Sequence, residues 1–312
     1  MGEEQKMARR RKTSTKKILS TAIALIIIGI AGILGTNEEF VNTISNMDGQ
    51  TNQQNKQQIE FVAQDNLLID YIDVGQADSI LIRNQDKVML IDAGTNEAGE
   101  TVVNYLKNLG IAQIDYVIGT HPHEDHIGGL DDVINNFDIG QVYMPKIQTT
   151  TKTFKDVLEA IENKNLTVTA PNKGDKVVLG QATGEFMTDP ILDEDNLNLS
   201  SLVLRLEFGN NSFLFMGDAE KENEKTINWP KTDVLKVGHH GSSTSTSENF
   251  LKQVQPQYAI IMVGKDNTYG LPTEETINRL KNIGSKIYRT DEDGTIQLTS
   301  DGNTIEIKTS LE

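Results

Sequence analysis

Two short clusters hold all five histidines of this 312-residue chain: His121, His123 and His126 in THPHEDHIGG, and His239 and His240 in LKVGHHGSS. Each cluster follows an apolar, β-branched run, DYVIGT (115–120) and DVLKVG (233–238). Such runs read as buried strands, and side chains just past strand ends are well placed to converge. Neutral imidazole is the commonest protein ligand for metals. The fold therefore has to bring two strand ends, distant in sequence, around a common metal site.

The composition narrows what that site can be. There is no cysteine, so disulfides, thiolate zinc ribbons, iron–sulfur clusters and a cysteine nucleophile are excluded, and any metal is held by imidazole and oxygen. The chain carries a net charge of −16, although residues 1–35 hold seven Lys/Arg against two Asp/Glu. The remainder is thus more acidic still and repels polyanions at long range. That argues against a broad nucleic-acid surface, but not against cutting a phosphodiester at a recessed metal centre.

Four segments follow from the pattern. Residues 1–17 are basic, and 18–35 read ILSTAIALIIIGIAGILG, without a charge. At ~1.5 Å per residue this is about 27 Å of helix, enough to cross a bilayer. Lys6, Arg9, Arg10, Arg11, Lys12, Lys16 and Lys17 precede it, so the N-terminus is expected in the cytoplasm and the rest outside. Ile33 spoils a small-x-small cleavage site, which favours an uncleaved signal anchor in the cell membrane. Residues 36–64, with NQQNKQQ at 52–58, read as a polar tether, and 65–310 as the folded body that carries the histidine clusters.

In that body, β-branched or leucine-rich runs at 67–74, 79–84, 87–94, 115–120, 141–145, 201–209, 211–218, 233–238, 258–264, 286–290 and 294–300 predict strands. Amphipathic stretches at 99–110, 153–165 and 273–284 predict helices between them, the first stopped by Gly110. The expectation is an α/β layered body.

Within the first cluster, His121 and His123 point the same way if extended, which Pro122 favours for His121. Asp125 and His126 are placed to serve a second metal, just before the tight Gly128–Gly129 turn into LDDVINNF. Asp218 ends the run NSFLFMGD and is read as a carboxylate bridging two metals, or as an ordinary helix N-cap. Of His239 and His240 one ligates, with His240 preferred, and the other contacts substrate or donates a proton. The tail GSSTSTS (241–247), Ser242 included, either binds phosphate through backbone N–H groups at a helix N-terminus or is a loop with capping serines.

HxHxDHxGG at 121–129, with FMGDAE (215–220) and LKVGHHGSS (235–243), resembles the metallo-β-lactamase superfamily. More narrowly it is similar to the hydrolase domain of the ComEC/Rec2 competence proteins and their stand-alone relatives. The likeness extends through IDVGQADS (72–79), LIDAG (90–94), SSLVLRLEFG (200–209) and YRTDEDGTIQLTSDG (288–302). It implies an αββα sandwich of two mixed sheets, here preceded by one transmembrane helix, with metals at one edge between the sheets. Three departures stand out: Ala77 replaces a glycine, Leu271 stands in YGLP where relatives read YGHP, and no histidine lies between His126 and His239. Asn198 stands where the resemblance implies a polar residue, so that the first site is expected to be weak or completed by water.

The reading is a binuclear metal-dependent hydrolase, most simply a phosphodiesterase or nuclease. His121, His123 and Asp218 would hold one cation; Asp125, His126, Asp218 and His239 or His240 the other. Asp125, His239 and Lys236 are the catalytic candidates, with Lys236 either neutralising a substrate oxygen or, as is about as common for a strand lysine, solvated or paired, and Asp92 orienting the ligand loop from behind. Zn2+ is expected first and Mn2+ second. The expected partners are a phosphodiester, either DNA or a cell-wall polymer, and the membrane; no channel partner is implied. A teichoic-acid or phosphorylcholine phosphodiesterase, or a surface binding module weakened by Leu271, are the competing readings.

Overall fold

The computed structural model describes residues 65–311. The predicted membrane span (18–35) and tether (36–64) lie outside the described residues. Among the described residues no helix is long and apolar enough to cross a membrane.

The strands are β1 (Leu67–Tyr71), β2 (Ile80–Asn84), β3 (Lys87–Ile91), β4 (Gln113–Ile118), β5 (Asp138–Tyr143), β6 (Val168–Thr169), β7 (Lys176–Leu179) and β8 (Ala182–Phe186). They continue as β9 (Leu204–Phe208), β10 (Asn211–Phe215), β11 (Val234–Lys236), β12 (Tyr258–Ile261), β13 (Lys286–Arg289), β14 (Ile296–Ser300) and β15 (Ile305–Thr309). One sheet runs β15-β14-β1-β2-β3-β4-β5-β6 and the other β13-β12-β11-β10-β9-β8-β7. The C-terminal hairpin returns to the first sheet, with β14 antiparallel to β1. Both sheets are mixed: β3–β4–β5 and β10–β11–β12–β13 are parallel, and the other halves are largely antiparallel.

Period-two alternation explains the layering. Ile80, Ile82, Met89 and Ile91 of the first sheet pack with Leu204, Leu206, Phe213, Phe215 and Ile260 of the second. Intervening residues face outward: Leu81 and Leu90 meet Val102 and Leu106 of α1 (Gly99–Asn108). In the same outer cluster lie α2 (Glu124–Ile127) and α3 (Leu130–Asn136), through Ile127, Leu130, Val133 and Ile134. Then α4 (Lys152–Asn163) covers the first sheet, while α5 (Lys221–Glu224), α6 (Glu248–Val254) and α7 (Glu274–Asn282) belong to the second half. Leu214 and Leu235 are covered by Phe250, Leu251 and Leu280. The αββα sandwich is therefore present in the described residues.

The observed strands are shorter than the apolar runs. Runs expected to reach Val74, Gly94, Thr120, Asp218 and Gly238 leave their ladders after Tyr71, Ile91, Ile118, Phe215 and Lys236. The trimmed tails are the loops that carry the functional side chains, most of them at the carboxyl ends of the parallel strands, where open α/β sheets place ligands. Strands β6, β7, β8 and β15 went unpredicted: β8 contains Gly184 and only two apolar residues, Ala182 and Phe186.

Candidate metal centre

Four loops meet at this edge. After β4 come His121 and His123, with His123 in extended backbone as the N-cap of α2 (φ −74°, ψ 151°). His121 Nε2 and His123 Nδ1 lie 3.0 Å apart, so the two imidazoles face a common point. Asp125 and His126 lie on α2 itself. Gly128 and Gly129 are needed for close approach: a Cβ on Gly128 would sit 2.3 Å from Asn96 N, and one on Gly129 2.5 Å from the Ala93 carbonyl.

Asp218 follows β10 and is almost fully buried. It is not a helix cap; Glu220 takes that place on α5, with a reciprocal Asn223 bond. The two Asp218 oxygens turn to different neighbours. Oδ1 lies 3.2 Å from His126 Nε2 and 3.7 Å from His240 Nε2, while Oδ2 lies 3.9 Å from His121 Nε2 and 3.7 Å from His239 Nε2. Asp125 Oδ2 completes the second group, 3.2 Å from His240 Nε2.

His239 and His240 both adopt left-handed backbone (φ 50° and 49°), uncommon for non-glycine residues. Two such residues in succession send the rings apart. His240 is buried against Asp125, whereas His239, 25% exposed, has Nδ1 3.2 Å from Glu220 Oε1.

Hydrogen bonds select the tautomers that leave Nε2 available. His126 Nδ1 lies 2.8 Å from Asp92 Oδ2 and His240 Nδ1 2.9 Å from the Met262 carbonyl; carboxylate and carbonyl only accept, so each Nδ1 donates. Asp92 also accepts from Thr120 N (2.8 Å) and Thr120 Oγ1 (2.7 Å).

Asp125, His126, Asp218 and His240 each offer one ligand atom within 4.8 Å of the others. Among the described residues, His126 Nε2 and Asp218 Oδ1 are buried without a hydrogen-bond partner. Their 3.2 Å separation is close to the edge of about 3.4 Å between two ligands bonded at ~2.0–2.1 Å to one tetrahedral cation. The donor set thus fits divalent cations bound by nitrogen and oxygen. Electrostatics agree. Burial would lower His126 and His240, but Asp218 with Asp92 raises the first well above the usual range, and Asp218 with Asp78 lifts the second to about 10. The cluster calls for positive charge, and a cation arriving at Nε2 displaces a proton. His121, in contrast, is held well below its ordinary value by burial and by His126, so its lone pair stays free.

Two expectations need correction. Lys236 does not face substrate: it lies on the inward face of β11, fully buried, with Nζ 2.6 Å from Asp78 Oδ2 and donating to the Val237 carbonyl at 2.9 Å. Nor is the 241–247 tail open to phosphate. Thr246 N and Ser247 N donate to the Glu224 carboxylate at 2.5 and 3.0 Å, and the Ser247 hydroxyl caps α6. Ser242 braces the histidine turn, its N–H donating to the His239 carbonyl at 2.7 Å. Asn198 does come to the site, with Nδ2 3.4 Å from His239 and from Glu220 Oε1. Asp78 and Glu220 were missed as functional residues. Each sits in a segment the sequence singles out, IDVGQADS and FMGDAE, and a carboxylate next to an apolar run was the signal.

The sequence pattern of the metallo-beta-lactamase superfamily matches residues 72–265, more than half the chain. The chain belongs to the metallo-β-lactamase superfamily. As a superfamily member it is a metal-dependent hydrolase, related to competence proteins. It is 34% identical to ComE operon protein 3 of Bacillus subtilis over 251 residues, 73% of this chain and 32% of that protein. It is 29% identical to Recombination protein 2 of Haemophilus influenzae over 252 residues, 77% of this chain and 30% of that protein. It therefore spans about a third of the length of these relatives. Among solved structures, the metallo-β-lactamase fold protein YhfI from Bacillus subtilis aligns with a TM-score of 0.51 at 11% identity, covering 77% of this chain and 99% of that one.

Proposed function

We propose that the chain is a two-metal phosphodiesterase or nuclease. The observation that carries this reading is the division of the Asp218 carboxylate, one oxygen toward His126 and His240 and the other toward His121 and His239. That is what a bridging ligand requires. His121, His123 and Asp218 would hold one cation, and Asp125, His126, His240 and Asp218 the other. Such a pair supplies activated water near neutral pH and charge stabilisation at phosphorus. The imidazole and carboxylate donors suit Zn2+ or Mn2+.

The protein's own groups do the rest. Asp92 and the Met262 carbonyl hold His126 and His240 in their tautomers. His239 is partly exposed and backed by Glu220 at Nδ1, so its Nε2 is suited to give a proton to the leaving oxygen. Leu271 cannot take that role. Lys236, withdrawn into the Asp78 pair, does not meet charge on the substrate.

The substrate we propose is a phosphodiester, DNA or a cell-wall polymer, reached by a domain held at the outer membrane face by residues 18–35. The test is hydrolysis of bis-p-nitrophenyl phosphate with Mn2+ or Zn2+, then of DNA, RNA and teichoic acid. His123→Ala and Asp218→Ala should each abolish the metal-stimulated rate; full activity in either variant would sink the reading. Protease accessibility on intact cells tests the anchor.

A further inference from the structure

Beneath the metal groups lies an ion pair that neither group uses as ligand. Lys236 is fully buried and Asp78 1% exposed, a position a lysine tolerates only when paired. Asp78 reaches three ligand-bearing segments at once. Its Oδ1 lies 3.4 Å from His240 Nδ1 as a charge contact without a hydrogen bond, that Nδ1–H donating to the Met262 carbonyl; its N–H donates to the Asp125 carbonyl at 3.0 Å, and its carbonyl accepts from Gly94 N at 2.8 Å, two residues past Asp92. Its Oδ2 is held by Lys236 Nζ at 2.6 Å.

Asp78, Asp92 and His126 also form an inner group with ligand atoms within 4.8 Å of one another. It has the donor types of a cation site, but a lysine ammonium already sits against it.

We propose that the Lys236–Asp78 pair is a positioning device: Lys236 acts as a built-in cation for the inner group and fixes Asp78, which in turn holds the Asp125 loop through its backbone and sets a carboxylate charge behind His240, whose ring the Met262 carbonyl orients. The contact order is Lys236, Asp78, His240, metal. Carboxylates behind a ligating histidine set its ring and basicity, and their loss typically weakens metal binding by about 10–100-fold. The proposal rests on the metal-centre reading, but not on the identity of the substrate.

The test compares wild type with Asp78→Asn and with the double variant Asp78→Asn/Lys236→Met. Replacing both partners of a buried ion pair is far better tolerated than removing one. Mn2+ and Co2+ affinities are measured by chelator competition, bound ions are counted by mass spectrometry, and the Co2+ absorption spectrum reports ligand geometry. The double variant should unfold cooperatively as wild type does and keep one cation at wild-type affinity. The other should bind about 10–100-fold more weakly with an altered Co2+ spectrum, and Asp78→Asn should fall between. Two cations held at wild-type affinity with an unchanged spectrum overturn the proposal. Loss of folding in both variants also overturns it, because the pair is then structural. A wild type that binds two cations yet cleaves no phosphodiester removes the proposed function and leaves this inference standing.

Discussion

Replacing Asp92 tests how the ligand loops are held. Its carboxylate accepts from Thr120 N, Thr120 Oγ1 and His126 Nδ1, all within 2.8 Å, and its backbone is left-handed at φ 57°. Asparagine tolerates that backbone and keeps one oxygen for Thr120 N–H, so Asp92→Asn mainly loses the charged bond to His126, about 1.5–3 kcal/mol. Alanine loses that bond too. It also leaves Thr120 N–H buried without an acceptor, roughly 1–3 kcal/mol, and gives up the short polar side chain that lets Asp or Asn hold left-handed backbone, up to ~1–2 kcal/mol. The Asp92→Ala loss is therefore on the order of 5 kcal/mol, comparable to the stability of many domains. Urea unfolding in EDTA reads these differences without metal, and chelator competition reads the metal side, where Asp92→Asn should weaken binding about 10–100-fold. Equal stability of the two variants would refute the backbone argument. Unchanged metal affinity in Asp92→Asn would refute the tautomer argument.

Gly128→Ala should destabilise by at least about 2 kcal/mol, because its Cβ would meet backbone atoms of Asn96, Thr95 and Glu124 within 2.5 Å; a variant with wild-type melting would contradict that crowding. Glu224, whose pKa burial raises above 4.5 despite the Ser247 and Thr246 donors, favours its protonated form in the fold. Its contribution is therefore full below pH ~4.5 and declines as pH rises through the raised value; Glu224→Gln should flatten that part of the stability profile, and an identical slope in both proteins would count against it. Chelation should lower thermal stability, and Mn2+ or Zn2+ at about a hundred times Kd should restore ~2.7 kcal/mol per site. A melting curve indifferent to EDTA would exclude a native metal centre.

The αββα layering was legible because its signals are local and periodic. Leu81 and Leu90 alternate with Ile80, Ile82, Met89 and Ile91, and α1, α4 and α7 carry apolar faces at helical spacing. Short strands such as β6 and β8 were not legible, since too few residues face the core to set a period. The histidine clusters, Asp125 and Asp218 were legible for a different reason: they are chemically unusual residues placed where apolar runs stop.

Lys236 could be read as a substrate contact or as a paired lysine, because period-two alternation says only that it shares a face with Val234, and not that Asp78 lies opposite. The phosphate-binding reading of the tail failed in the same way, since Glu224, about twenty residues upstream, fills its N–H groups. Left to itself, the sequence determined the layers, the chemistry of the ligands and the exclusion of sulfur, all of which depend on residue type and spacing along one segment. Only the tertiary structure decided which oxygen of Asp218 faces which histidine, that His240 is buried against Asp125 while His239 is partly exposed beside Glu220, and that Asp78 is neutralised from within. Each is a contact between segments far apart in the chain, set by where the two sheets meet.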